Sequence, residues 1–262
     1  VYGCYVMFFP QLVAGPILRA KEVIHQLTSD KSFSKNYIIE GIERILYGLF
    51  LKTFLADNLA PMVDTGFMVS VENLSAIDVW TLAFLFGFQI YFDFSAYSHI
   101  AIGSAKIMGI YFPENFNFPY VATSFKDFWK RWHISLSSWI RDYLYLPLSK
   151  QKVLDRSTGG IYLQETKKLK KSSIPLFLTW GIMGLWHGAN WTFVFWGLYH
   201  AFLIFSERKI INLFGFELST KFKLVGLIYT FPLSMLGWIP FRCDSLSETL
   251  KMFAIIFTPN RY

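Results

Sequence analysis

Hydrophobic and polar positions along this chain fall into long blocks rather than short alternations. Ser172 to Ser206 is 35 residues without Asp, Glu, Lys or Arg. One helix of that length spans roughly 52 Å at ~1.5 Å per residue, against a bilayer core of about 30 Å. The run therefore predicts one long tilted helix, or two shorter ones broken near Gly188-Ala189-Asn190. Val79 to Phe92 predicts a clear span whose helix continues through Ala96 to Ile107. Leu224 to Phe241 predicts another, with Pro232 and Pro240 as kink or end signals. Tyr37 to Leu59 has a helical pattern but carries Glu40, Glu43, Arg44, Lys52 and Asp57. It reads as a marginal span that needs a surrounding bundle, or as an amphipathic surface helix, with Glu40 and Arg44 spaced to pair at i, i+4.

The remaining stretches read as connections and interfacial pieces. Val1 to Leu18 is uncharged but carries Pro10, Gly15 and Pro16, which suggests the end of a span or a re-entrant turn buried by neighbours. Arg19 to Lys35 reads as a short interfacial helix and loop, and Tyr111 to Tyr120 as a structured non-helical link. In Ser124 to Tyr145, Trp129, Trp132, Leu136, Trp139 and Tyr143 follow the rhythm of one helical face, with Lys130, Arg131 and Arg141 opposite. That pattern predicts a helix lying in the membrane interface, aromatic side down, with His133 at the border of the two faces. Lys150 to Ser173 reads as a polar, basic loop around Gly159-Gly160. There is no internal repeat and no soluble domain in the pattern.

Composition places all of this in the membrane class: 53% of residues are hydrophobic and 19% aromatic, with a mean hydropathy of +0.36. The expected fold is an all-α, polytopic integral membrane bundle with interfacial and re-entrant helices, a single membrane domain over 1–262. A start on Val1 rather than Met suggests a piece of a longer chain. The net charge of +7 is concentrated in residues 126–171, which hold 11 Lys and Arg against 4 Asp and Glu. A basic block confined between apolar segments is a topology signal that puts the loop on the cytoplasmic side, and it argues against nucleic-acid binding. Cys4 and Cys243 match neither a metal-ligand spacing nor a disulfide framework. The expectation is no metal and no bound cofactor.

Candidate chemistry centres on Leu185-Trp186-His187-Gly188-Ala189-Asn190-Trp191. A titratable imidazole and a primary amide at bilayer depth cost free energy unless they find partners or a cavity, so they mark a functional site by default. The bland alternative is a packing histidine satisfied by a neighbouring helix. Gly181, Gly184 and Gly188 form a flat stripe that lets another backbone approach, and Trp186 and Trp191 would wall the imidazole. Asp93 and His99, six apart, fall on opposite sides of their helix and need not pair. For His133 the alternative is an interfacial side chain with no chemistry.

In order along the chain, Phe8-Phe9-Pro10-Gln11, Tyr91-Phe92-Asp93-Phe94-Ser95, Phe112-Pro113-Glu114-Asn115-Phe116, Phe128-Trp129-Lys130-Arg131-Trp132-His133, Arg141-Asp142-Tyr143-Leu144-Tyr145 and Leu185-Trp186-His187-Gly188-Ala189-Asn190-Trp191 resemble the membrane-bound O-acyltransferase (MBOAT) family. The likeness is to its branch of bacterial alginate O-acetylation membrane proteins. Two departures stand out: His99 occupies a position usually acidic, and Ser149-Lys150-Gln151-Lys152 lacks the usual Gly-Gly-Asn-Arg-like turn. The resemblance implies that His133 and His187 are the family's two hallmark histidines, with His187 at the position taken as catalytic.

It also implies transfer of an acetyl or other acyl group from a cytoplasmic donor, acetyl-coenzyme A, to a hydroxyl reached from within a bacterial inner membrane. The expected acceptor is an exported polysaccharide, through an extracytoplasmic partner of the serine-esterase-like type; peptidoglycan and teichoic acid remain alternatives. Trp132, Trp186, Asn190 and Trp191 are the candidate substrate-binding residues. From the residues alone, a transporter or channel and a catalytically inactive scaffold stay open. A cysteine at Lys168 should resist an impermeant thiol reagent in intact cells; ready labelling from outside would overturn the cytoplasmic assignment of the basic block.

Overall fold

A computed structural model describes residues 1–12, 15–31, 34–149, 173–215 and 222–258. The basic loop, including Gly159, Gly160 and Lys168, lies outside the described residues. All regular structure among the described residues is helical. The chain divides into two compact units, one comprising 1–120, 129–136 and 252–262, the other 121–128 and 137–251.

The first unit is built along α5, Ala76–Ile107, one of two described helices long and apolar enough to cross a bilayer. Ser75 starts it: the Asp78 backbone N–H donates to Ser75 Oγ at 3.3 Å, and Ser75 N–H donates to the Asp78 carboxylate at 2.8 Å. These reciprocal bonds satisfy donors that a helix start otherwise leaves orphaned. Preceding it in this unit are α1 (Tyr2–Val6), α2 (Ala20–Thr28), α3 (Lys35–Phe50) and α4 (Asp57–Met68). A wide π turn over Leu51–Ala56 joins α3 to α4 without interruption, so the predicted 37–59 helix runs on to Met68.

That helix docks on α5 backbone to backbone. A Cβ on Gly48 would lie 2.7 Å from the Ala96 carbonyl oxygen, and one on Gly103 would lie 2.6 Å from that of Gly41. Its charges find partners on other segments and, for Lys52, also one turn along the same helix. The expected Glu40–Arg44 pair does not form. Glu40 instead pairs with Lys106 and Arg44 with Glu114, while the Lys52 ammonium sits 2.8 Å from both Asp57 and Asp93. For Glu40 and Arg44, opposite charges on other segments lie closer than their own helix mate does. His99 is accounted for separately, edge-on to the Tyr47 ring at 4.8 Å. At the N-terminal end, Tyr5 donates to the Leu18 carbonyl at 2.7 Å. There Leu18, Val23, Ile102, Ala105, Ile110 and Phe112 form a buried cluster.

In the second unit the uncharged run folds as a hairpin, α9 (Ile174–His187) and α10 (Trp191–Phe214). The two-helix alternative holds because Gly188 leaves the helix in an extended conformation and Asn190 caps the next one. The glycine stripe is where α10 approaches: Cβ atoms on Gly184 and Gly197 would sit 2.3 Å from Phe193 O and 2.1 Å from Trp180 O. Gly181 meets only a Leu198 methyl at 3.9 Å. The predicted 224–241 span is α11 (Lys223–Leu236) followed, after a turn at Gly237-Trp238, by α12 (Ile239–Arg242) with Pro240 in its first turn. A further helix, α13 (Leu246–Ile256), begins in this unit, and its residues from Met252 on are counted with the first. The buried Glu207 carboxylate ties α10 to its surroundings. It accepts from the Phe125 and Lys126 N–H groups at 3.2 and 3.4 Å and from the Tyr229 hydroxyl at 2.8 Å.

The largest departure from expectation is the stretch 124–145, which is not one interfacial helix. It forms α6 (Phe125–Arg131), α7 (Ile134–Ile140), a π turn over Arg141–Tyr145 and α8 (Leu146–Leu148). The break falls at Trp132-His133, where His133 takes a φ of +41°. Trp132 and Leu136 are buried while Trp139 and Tyr143 are exposed, so the aromatic rhythm does not describe one face. A periodicity count assumes an unbroken helix, and a single left-handed residue resets the angle of everything after it.

Alanine at Gly197 and at Gly181 should separate contact from propensity. Alanine gains up to ~1 kcal/mol over glycine in a helix interior, so Gly181→Ala should leave stability unchanged or raised. At Gly197 the clash with the Trp180 carbonyl outweighs that gain, and thermal unfolding of the purified complete protein should show a loss of about 1–3 kcal/mol. Equal behaviour of the two variants would mean that α9 and α10 do not approach so closely.

Candidate functional site

His187 is the last residue of α9, at the mouth of the hairpin turn. Three rings stand edge-on to its imidazole: Trp186 and Trp196 with centroids at 4.9 Å and Phe241 at 5.1 Å. Trp196, 1% exposed, is the anchor of this box, with Phe241 at 5.3 Å and Trp238 at 6.2 Å from it. The expected wall is thus corrected in one member. Trp191 is 70% exposed and Trp186 59% exposed, and the enclosing tryptophan is Trp196. The expectation that Trp191 walls His187 fails because the helix ends between them.

Asn190 is committed to structure at both ends of its amide. Its Oδ1 accepts from the Thr192 N–H at 3.2 Å, and its Nδ2 donates to the Asp244 carbonyl at 3.0 Å. These bonds hold the start of α10 against the segment after α12.

Sequence reasoning missed His200, one helical face further along α10 and fully buried. It stacks between Phe128 at 6.4 Å and Trp180 at 5.7 Å, and Trp196 meets it edge-on at 5.2 Å. Gly237 makes room for it, since a Cβ there would lie 2.8 Å from His200 Nε2. The available signal was a second histidine in the same uncharged run.

His133 belongs to the first unit, and its surroundings differ in kind. The sequence places it at the rim of an interfacial helix; in the structure it is buried, 6% exposed, at the break between α6 and α7. The non-helical link described above runs beside that break. Asn115 O accepts from the Ile134 N–H and Arg131 O from the Asn117 N–H, both at 2.9 Å. Those bonds hold the left-handed backbone of His133 in place.

Around the ring lies a small polar network. His133 Nδ1 is 3.1 Å from Asn115 Oδ1, which also accepts from the Ser135 N–H at 3.2 Å and lies 2.8 Å from Ser135 Oγ. Asn115 Nδ2 donates to Ser98 Oγ at 3.1 Å, and the Ile17 N–H donates to Ser135 Oγ at 2.9 Å. The Phe94 ring stands edge-on to the imidazole at 4.7 Å. Trp132 is buried among Tyr91, Phe116 and Tyr120, with centroids at 5.1–6.1 Å. No spacing or periodicity marks Asn115, Ser98 or Ser135, because the link that carries Asn115 is irregular.

Both sites therefore offer an imidazole held among aromatic rings, one at a helix hairpin and one on a polar network. Among the described residues no group of three or more His, Cys, Asp and Glu side chains is arranged to hold a metal ion.

Comparison with known proteins places these features in a family. The chain is 37% identical over 258 residues, 98% of its length, to a probable alginate O-acetylase of Azotobacter vinelandii. It is 38% identical over 253 residues to a peptidoglycan O-acetyltransferase of Helicobacter pylori and 34% identical over 209 residues to a teichoic acid D-alanyltransferase of Bacillus subtilis. The matches cover 48%, 45% and 49% of those proteins, so the chain spans about half the length of the curated relatives it matches. The pattern of the membrane-bound O-acyltransferase family extends over residues 2–231, taking in both histidines and the segments that hold them. A match over that much of the chain, together with helices apolar enough to cross a bilayer, means that this chain belongs to the membrane-bound O-acyltransferase family.

Proposed function

We propose that the complete protein transfers an acyl group, acetyl in the first instance, from a cytoplasmic thioester donor such as acetyl-coenzyme A to a hydroxyl acceptor, with His187 as the general base. The observation that carries this reading is the enclosure of His187 by Trp186, Trp196 and Phe241 at the end of α9. An alcohol is a weak nucleophile until a base removes its proton as it attacks, and histidine, with an unperturbed pKa of about 6.5, suits that task.

In the proposed step His187 takes the hydroxyl proton while the oxygen attacks the thioester carbonyl. The tetrahedral intermediate collapses, the C–S bond breaks, and the imidazolium returns the proton to the leaving thiolate. Because Asn190 is engaged by Asp244 and Thr192, the exposed indoles of Trp186 and Trp191 are the better donors toward the developing oxyanion. His133 and Trp132 serve substrate binding in this reading.

The relatives are named for three different acceptors: alginate, peptidoglycan and teichoic acid. An exported polysaccharide is the acceptor we favour, reached through an extracytoplasmic serine-esterase-like partner from a multi-pass protein of the bacterial inner membrane.

The test is acetyl transfer from labelled acetyl-coenzyme A by the purified complete protein, normalised to folded protein. His187→Gln should lower the rate by about 10²–10⁴ at near-normal protein levels, while His133→Gln should retain measurable turnover. An active His187 variant beside a dead His133 variant would reverse the roles. Full activity of both would sink the histidine-base mechanism.

A further inference from the structure

Arg44 Nε, Ser95 Oγ and His99 Nδ1 are buried atoms of the first unit with no hydrogen-bond partner among the described residues. All three residues line one small cavity, which Ser98, Glu114 and Asn115 also border. The helix repeat accounts for one side of that wall: Ser95, Ser98 and His99 stand at i, i+3 and i+4 on one face of α5. Arg44 comes to it from α3, and Glu114 and Asn115 from the link that follows α5. Ser95 is 1% exposed, whereas the Glu114 side chain is 51% exposed. The cavity therefore leads from the interior toward the paired Arg44 and Glu114 side chains. Buried polar atoms are paired in the great majority of cases, so three orphans around one cavity call for an occupant.

Size, charge and hydrogen-bonding capacity choose it. The room is about 10 Å³, close to the ~10–15 Å³ that one water molecule needs. A ligand of two or more heavy atoms does not fit. The Arg44 guanidinium in the wall repels a metal cation, and the Glu114 carboxylate, already paired with it, disfavours an anion. The three orphaned atoms differ in what they require. Arg44 Nε–H can only donate, the Ser95 hydroxyl donates or accepts, and His99 Nδ1 does one or the other according to its tautomer. A water molecule meets all of them, because it donates and accepts at once.

We propose that this cavity is a binding site for one ordered water molecule, held by Arg44 Nε, Ser95 Oγ and His99 Nδ1. Three bonds are the usual complement of a buried water. The water ties α3 to α5 where side chains alone leave polar atoms unmet. It also borders Ser98 and Asn115, which belong to the network beside His133. The site depends neither on the acyl-transfer reading nor on the protonation of His133.

Two measurements on the complete protein in lipid nanodiscs test it. A structure at a resolution that shows ordered water should place one molecule within hydrogen-bond distance of all three atoms. A collapsed cavity, or one without density beside well-defined waters elsewhere, overturns the proposal. The second measurement is transfer of magnetisation from water to the ¹⁵N-labelled His99 ring, its signals identified by their loss in His99→Gln. Ser95→Val replaces the hydroxyl with two methyl groups that take up the room, and should abolish a transfer present in the unaltered protein. Transfer that is absent from the unaltered protein, or that persists undiminished in Ser95→Val, rules the site out. The structural measurement needs no variant and decides the question if Ser95→Val fails to fold.

Discussion

Polar groups among apolar helices must be satisfied by the chain itself, and the rest of this structure follows from how that is done. No water competes for a hydrogen bond in hydrocarbon, so an unmet donor or acceptor costs several kcal/mol there. Three such side chains are tied to other parts of the chain. Lys52 bridges Asp57 and Asp93, Glu207 holds the start of α6, and Asn190 joins the start of α10 to Asp244. Glycines serve the same end by a different route. At Gly41, Gly48 and Gly103, and again at Gly184 and Gly197, missing side chains let backbones meet, and dispersion over that contact replaces the hydrophobic drive that lipid removes.

The two histidines answer this constraint in opposite ways, and the difference bears on chemistry. His187 is bordered by rings that offer π faces and edges. Those rings leave the imidazole partly buried, with no polar side chain described as holding it. His133 is instead held at Nδ1 by Asn115, itself held by Ser98 and Ser135. A ring pinned this way suits orientation of a substrate group more than rapid exchange of a proton. The left-handed conformation of His133 stores strain of order 1–3 kcal/mol, which surrounding hydrogen bonds must offset. Strain kept at a polar, buried residue is a feature of sites rather than of ordinary packing.

What the sequence by itself determined follows from composition and run length. Apolar stretches of 14 to 35 uncharged residues can be satisfied only as helices, so the all-helical class, the long helix ending at Ile107 and the break at Gly188 to Asn190 were all legible. The glycine stripe announced a close helix contact, though not that its partner would be the next helix in the same hairpin. The motifs around His133 and His187 were legible as a family resemblance.

Only tertiary structure decided what surrounds each histidine. Periodicity assumes that a helix continues, and it failed at both places where the chain breaks: Trp191 left the His187 box to Trp196, and His133 moved from a helix rim to a buried turn. Charge spacing failed for a related reason, since Glu40 and Arg44 found nearer partners on other segments than on their own helix. Asn115, Ser98 and Ser135 had no signal in spacing or periodicity, and His200 only that of a second histidine in the uncharged run, because what sets their surroundings is contact between residues far apart in the chain, and spacing along one helix or strand carries no record of that.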